Sequence, residues 1–331
     1  MENNASAPVR IARWKGDAAG AVSLYYDDGT DSAFDFVVPL LLRLHLPGTF
    51  YLCCGWYKGP DDPKLARWAI CRERPEIVLG NHTWSHCGAQ GPEQLAEELR
   101  RNAEALRALT GLPPEALVST GIPGGVPWKV TPEEQAACFA ATGVVLRHPF
   151  GPENSGGPAG LHPSVRMNTR EDALAILDRA ERSRGWEALL FHGVGGDWIA
   201  FPAGAHELLL REAAARQALG RLWVGSAIDV HKYATERDAA KLQVLKASED
   251  GYDVLLPGLD PAKEGNLPLL YDCPLTIVCD APAGWTKARV ACERNAASVS
   301  PDPLEVPVKD GRIVFDMPRP WVGFTVRKAG E

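Results

Sequence analysis

A chain of 331 residues, 45% of them apolar and 23% charged, is long enough for one large domain and a smaller one, and this composition excludes a fibre or a wholly disordered chain. Asp and Glu outnumber Lys and Arg by 42 to 35, giving a net charge of -7 without a basic stripe, which argues against nucleic acid or anionic lipid as a partner. No window approaches about 18 unbroken apolar residues, and Met1 to Pro8 lack an apolar leader core, so neither a membrane span nor a signal peptide is expected. A cytoplasmic location is favoured, with export the alternative if a leader has been trimmed. The eight cysteines form no Cys-x-x-Cys pair and read as free thiols, Cys273 and Cys279 being near enough in sequence to bridge.

From Gly20 to Val224 short apolar runs alternate with longer amphipathic stretches, the β-α-β rhythm of a mainly parallel sheet. Strands are expected over 21–26, 49–53, 76–80, 143–146, 188–191 and 221–224, and helices over 32–44, 132–141, 170–184, 203–219 and 227–241. A further helix places Leu95, Leu99, Leu106 and Leu109 on one face and stops at Gly111. Near residue 245 the rhythm changes. Short runs at 275–278, 288–292 and 313–315 are separated by Pro and Gly, and Lys309-Asp310-Gly311-Arg312 is a good hairpin turn. The expected organisation is an α/β domain over 1–244 and a small antiparallel, sandwich-like β domain over 245–331.

Three predicted strands end on titratable residues. The first runs Ser23-Leu24-Tyr25-Tyr26 into Asp27-Asp28-Gly29, where the alternation of strand side chains gives the two carboxylates different directions and Gly29 permits a sharp turn. By itself Asp-Asp-Gly is also ordinary turn chemistry. After the strand ending at Gly80 comes His82-Thr83-Trp84-Ser85-His86, whose i, i+4 spacing on a helical turn would put both imidazoles on one face. Two imidazoles and a carboxylate are a common catalytic zinc set. The third strand, Leu189-Leu190-Phe191, ends at His192, a side chain suited to proton transfer near neutral pH. In parallel sheets active sites gather at these carboxyl ends.

These motifs resemble those of the NodB-homology polysaccharide deacetylases, carbohydrate esterase family four, over about residues 18–242. Asp27-Asp28-Gly29 is similar to the family's T-F-D-D-G, His82 to His86 to its H-S/T-x-x-H, and Leu190 to His192 to its L-x-H; Leu46 to Tyr51 is similar to its V-P-A-T-F-F strand. The resemblance implies a distorted (β/α) barrel, usually seven-stranded. It also implies a divalent metal, most plausibly zinc with cobalt or nickel as alternatives, held by Asp28, His82 and His86. Asp27 would be the catalytic base and His192 the proton donor, and the substrate would be an acetylated carbohydrate hydrolysed by metal-activated water.

Two departures stand out. The arginine of the family's third motif falls on Gly121, and Arg147, at the end of the strand over 143–146, is the candidate replacement. The fourth motif, D-x-x-D-W, has no counterpart in order, although Asp197-Trp198 is similar to its end. Trp84, Gly124, Trp128 and Trp198 are the candidate substrate-binding residues, the tryptophans by stacking on a sugar or walling the acetyl pocket. Other readings are a deacylase of a small noncarbohydrate amide on the same fold, and a carbohydrate-binding pseudoenzyme.

Overall fold

The computed structural model describes residues 7–147, 170–256, 273–293, 303–317 and 323–330. The chain divides into two compact units, one formed by Gly20–Val230 and the other by Met1–Ala19 together with His231–Glu331. This differs from the expected border at 244/245. The cause is a strand absent from the sequence reading, β1 (Val9–Ile11), which pairs antiparallel with β11 (Leu275–Asp280), Val9 opposite Cys279 and Ile11 opposite Ile277. The residues from 231 onward join the same unit through Tyr233, whose hydroxyl donates to the Ala12 carbonyl, and Arg237, whose guanidinium donates to the Arg13 carbonyl.

The first unit is a seven-stranded parallel half-barrel, a distorted (β/α) barrel of the expected type. Its strands are β2 (Gly20–Asp27), β3 (Gly48–Leu52), β4 (Ile77–Asn81), β5 (Val118–Thr120), β6 (Val144–Leu146), β7 (Trp186–Phe191) and β8 (Leu222–Val224). They lie in the order β6-β5-β4-β3-β2-β7, with β8 against the start of β2. β2 is therefore central: residues 20–22 pair with β8, 25–27 with β3 and 21–26 with β7. All eight of its residues are buried, which is why it reads as a near-continuous apolar run. Val22, Leu24 and Tyr26 enter the main core, whereas Tyr25 packs with Tyr51 and Leu190 in a second cluster.

The helices are α1 (Val38–Leu44), α2 (Pro63–Ala66), α3 (Pro92–Thr110), α4 (Pro132–Thr142), α5 (Arg170–Ser183), α6 (Ala203–Ala218) and α7 (Ala227–Ala239). The helix expected from residue 32 instead contains a π-helical turn, Ala33–Val37, and becomes α-helical at Val38, with Pro39, whose missing N–H suits the first turn, next. α3 buries Leu95, Leu99 and Leu106 and ends where Gly111, at φ 74°, donates its N–H to the Arg107 carbonyl. α4 opens on a capping box between Thr131 and Glu134. Among the described residues no helix is long and apolar enough to cross a membrane.

The second unit is an antiparallel sheet in the order β1-β11-β14-β13-β12-β15-β10-β9. Here β9 is Gln243–Ser248, β10 Gly251–Leu255, β12 Lys287–Glu293, β13 Leu304–Lys309, β14 Arg312–Met317 and β15 Gly323–Lys328. β13 serves both halves, pairing with β12 over 304–307 and with β14 at Val308 and Lys309. β14 and β15 are not neighbours in the sheet, yet Phe315 and Phe324 meet edge to face with centroids 5.2 Å apart, so the halves fold over a shared interior as in a sandwich. The hairpin turn lies at Asp310 and Gly311, both at positive φ. All eight cysteines are free thiols, Cys273 and Cys279 included.

Behind β2, His206 of α6 is buried among Tyr26, Phe191 and Phe201. Burial lowers its pKa from 6.5 to about 3 and raises that of the Tyr26 phenol, so a neutral imidazole and a neutral phenol share a hydrogen bond at Nε2, 3.0 Å long. Between pH 6.5 and about 3 the unfolded chain binds a proton that the folded chain refuses; stability is full above 6.5 and is lost as pH falls through this window. The full effect is on the order of 4 kcal/mol. His206→Gln, which keeps an acceptor for Tyr26 without an ionisable ring, should flatten the acid arm of the stability curve measured by urea unfolding. Parallel curves for variant and wild type would refute this account.

Candidate active site

The parallel registers bring the strand ends to one level. Asp27 lies opposite Tyr51, Leu52 opposite Asn81, Asn81 opposite Thr120, Thr120 opposite Leu146, and Tyr26 opposite Phe191. The residues that follow these ends are Asp28, His82, Gly121, Arg147 and His192, so every titratable candidate except His86 falls within a residue of the same rim.

Asp27 is the last residue of β2 and is 1% exposed. Arg147 grips it with both terminal nitrogens, Nη1 on Oδ1 and Nη2 on Oδ2, the latter at 2.9 Å. The guanidinium is itself buried, with Cζ 4.4 Å from the Tyr51 ring centroid and 5.5 Å from that of Tyr25. Burial alone would raise the Asp27 pKa, but the Arg147 charge and hydrogen bonds, aided by His82, outweigh it and hold the carboxyl well below the usual range. Gly121 completes the arrangement: a Cβ there would lie 2.5 Å from Arg147 Cζ, so the glycine leaves the space that Arg147 fills. The candidate replacement thus sits on Asp27, and Gly121, where the resemblance puts the family's arginine, is the position that makes room for it.

Asp28 leaves the strand at φ 72° and turns its carboxylate toward the two histidines. Gly29 continues the turn at φ 56°, where a Cβ would collide with Leu52 Cδ2 and the Tyr57 hydroxyl oxygen at 2.6 and 2.9 Å. Asp28 Oδ1 lies 3.3 Å from His82 Nε2 and 3.6 Å from His86 Nε2, and one ligand atom from each residue lies within 4.8 Å of the others. His82 Nδ1 meets the Gly121 carbonyl at 2.6 Å; a carbonyl only accepts, so Nδ1 carries a proton and Nε2 is the ring atom turned toward Asp28. Asp28 Oδ1 is buried and has no hydrogen-bond donor. Two imidazole nitrogens and a carboxylate oxygen converging within 4.8 Å of one another form a donor set that fits a metal ion.

The His82 to His86 segment is not a helical turn. It is a loop with Thr83 and His86 at positive φ, 64° and 61°, held from α3. Asn102 donates to the Leu52 carbonyl and to Asn81 Oδ1, while Asn81 Oδ1 also accepts from Thr83 N. Glu98 accepts from Ser85 N and Oγ at 2.7 and 2.9 Å. These holding residues escaped the sequence reading, although Asn102 left a trace: it occupies the buried stripe of α3 between Leu99 and Leu106, where a polar side chain needs a partner.

His192 follows β7, is 6% exposed, and brings Nε2 to 4.0 Å from Asp28 Oδ2. Burial lowers its pKa, a shift that the Asp27 and Asp28 charges oppose without cancelling. Trp198 joins the cluster through its indole N–H, which donates to Asp28 Oδ2 at 2.6 Å. The other substrate candidates make contacts of their own. The Trp84 ring packs on Gly55 and under Arg101, whose Cζ is 4.2 Å from its centroid. Trp128 donates its indole N–H to the Pro123 carbonyl, and Gly124 is exposed in the intervening loop. Trp56, absent from the sequence reading, stands 5.5 Å from the His86 ring, donates to the Ser85 carbonyl and is 46% exposed. Its signal is its place just past β3, at the same rim.

Residues 15–127 match the family model for polysaccharide deacetylase. Solved structures similar to this chain include a family 4 carbohydrate esterase from Streptomyces lividans in complex with acetate (19% identity, 62% of this chain and 92% of that one, TM-score 0.41). Others are a family 4 carbohydrate esterase from Streptococcus mutans (20%, 65% and 92%, TM-score 0.43) and a peptidoglycan deacetylase from Bacillus subtilis (15%, 68% and 96%, TM-score 0.42). No curated protein matches the chain.

Removing one partner of a buried ion pair strands the other. Arg147→Ala should therefore destabilise the protein by about 3–5 kcal/mol, and Gly121→Ala, which overpacks the guanidinium, by about 1–3 kcal/mol. The double variant Gly121→Arg/Arg147→Ala supplies a guanidinium from the adjacent strand end and should regain stability over Arg147→Ala. Denaturant unfolding of the four proteins measures this, and a double variant no better than Arg147→Ala would show that the vacated space does not accept arginine from the neighbouring strand.

Proposed function

We propose, from the match of residues 15–127 to the polysaccharide deacetylase model, that this chain is a metal-dependent hydrolase that removes acetyl groups from a carbohydrate. The observation that carries the reading is the buried, donorless Asp28 Oδ1 facing the Nε2 atoms of His82 and His86. Asp28, His82 and His86 would hold a divalent metal, zinc by the nitrogen-rich donor set, which when bound polarises a carbonyl and lowers the pKa of water toward about 7.

The remaining chemistry belongs to the chain. Asp27 accepts the proton of the attacking water. Arg147 keeps its carboxylate ionised and fixes its plane, so the carboxylate is ready as a base at neutral pH. His192 protonates the departing amine or alcohol oxygen; its lowered pKa makes the imidazolium a stronger acid when formed. The half-exposed rings of Trp56 and Trp198 offer apolar faces to a sugar ring beside the reacting group.

Acetate release from N-acetylglucosamine oligomers and acetylated xylose oligomers tests the proposal, with small amides as the rival substrates. Turnover should vanish on chelation and return with zinc. Asp27→Asn should retain metal and lose roughly 100- to 10,000-fold in turnover, whereas His86→Ala should lose the metal. Full turnover by protein shown to be metal-free would overturn the mechanism, and cleavage confined to the small amides would overturn the carbohydrate.

A further inference from the structure

The two oxygens of the Asp28 carboxylate have different surroundings. Oδ1 faces the imidazoles, and Oδ2 takes the Trp198 indole N–H at 2.6 Å. Trp198 is 47% exposed, so core packing does not set its position. Its loop does. Gly193 N donates to the Trp198 carbonyl, Phe201 N to the Gly193 carbonyl and Gly195 N to the Phe201 carbonyl. The loop is also fastened to Ser32: Asp197 Oδ2 accepts from Ser32 N at 2.7 Å, and Ser32 Oγ donates to the Gly196 carbonyl while accepting from Val194 N.

The residues on either side of Trp198 are both left-handed, Asp197 at φ 60° and Ile199 at φ 48°. For β-branched Ile199 this conformation is a steric outlier, and such strain persists only where surrounding bonds enforce it. The loop thus spends strain and several hydrogen bonds on presenting one exposed indole to one carboxylate oxygen. Indole N–H is a donor with no acceptor capacity, which matches an ionised carboxylate oxygen.

Resting on the metal reading proposed above, we infer that Trp198 is a positioning residue for the metal centre: its indole N–H occupies Asp28 Oδ2, stops rotation of the carboxylate, and leaves Oδ1 as the single oxygen directed at the ion. This goes beyond a sugar-stacking role, because it needs the N–H and not the ring face. Outer partners of this kind are worth 10- to 100-fold in metal affinity.

The test is competitive zinc titration of the full chain, stripped of metal, for wild type, Trp198→Phe and Trp198→Ala, alongside the thermal midpoint of each metal-free protein. The expected result is a dissociation constant about 10- to 100-fold weaker in both variants, with metal-free midpoints equal to that of wild type. Trp198→Phe binding zinc as tightly as wild type overturns the inference. Loss in Trp198→Ala alone also overturns it, by assigning the effect to the ring. A wild type that binds no zinc overturns the metal reading itself, whereas a wild type that binds tightly beside an unaffected Trp198→Phe overturns only the positioning role.

Discussion

A carboxylate that is 1% exposed at the end of a buried strand has to be paired with a positive charge or lose its own, and the rim of the half-barrel is organised around that constraint at Asp27. Arg147 meets it with a two-pronged grip, while the rings of Tyr25 and Tyr51 line the guanidinium. Burial would weaken the Arg147 charge, but Asp27 opposes this and raises its pKa, so both partners stay ionised. An apolar pair of the same volume would often be as stable. What such a pair would not give is an ionised carboxylate beside the proposed metal ligands, and the base role proposed for Asp27 requires that charge.

Parallel register makes the arrangement possible. Because Asn81, Thr120 and Leu146 stand level across β4, β5 and β6, the next residues, His82, Gly121 and Arg147, emerge side by side. Gly121 then acts twice: its carbonyl accepts from His82 Nδ1 and so orients a proposed metal ligand, while its missing side chain admits the guanidinium. A shift of one strand by a residue would separate both couplings at once, and would also turn the side chains of that strand to the opposite face.

Much of this was legible because strand ends carry strong local signals. An apolar run that stops on Asp27-Asp28, on His82 or on His192 is visible without a structure, and Arg147 could be singled out because it closes such a run. What escaped the sequence was decided by distant partners. β1 is three residues long and becomes a strand only by pairing with β11, so the first residues join the β unit and the division moves away from 244/245. The i, i+4 spacing of His82 and His86 suggested a helical turn, yet Asn102 and Glu98 of α3 pull the segment into a loop that brings the imidazoles together by another route. β5 offers too little periodicity to announce itself in three residues.

The proposed metal set is thus held from two sides: α3 fastens the histidine loop, and Ser32 fastens the loop that carries Trp198. The Asp28, His82 and His86 donors suit hydrolysis of any acyl group that reaches them, so the ligand set alone does not choose the substrate. Choice falls to what stands at the rim, and there the two half-exposed tryptophans come from different loops, Trp56 beside His86 and Trp198 beside Asp28. Each is tied by its indole N–H to the machinery or its loop and leaves ring surface to solvent. On the proposed function, a substrate that stacked on either ring would press on a group already coupled to a proposed metal ligand, joining binding and reactivity through the same side chains.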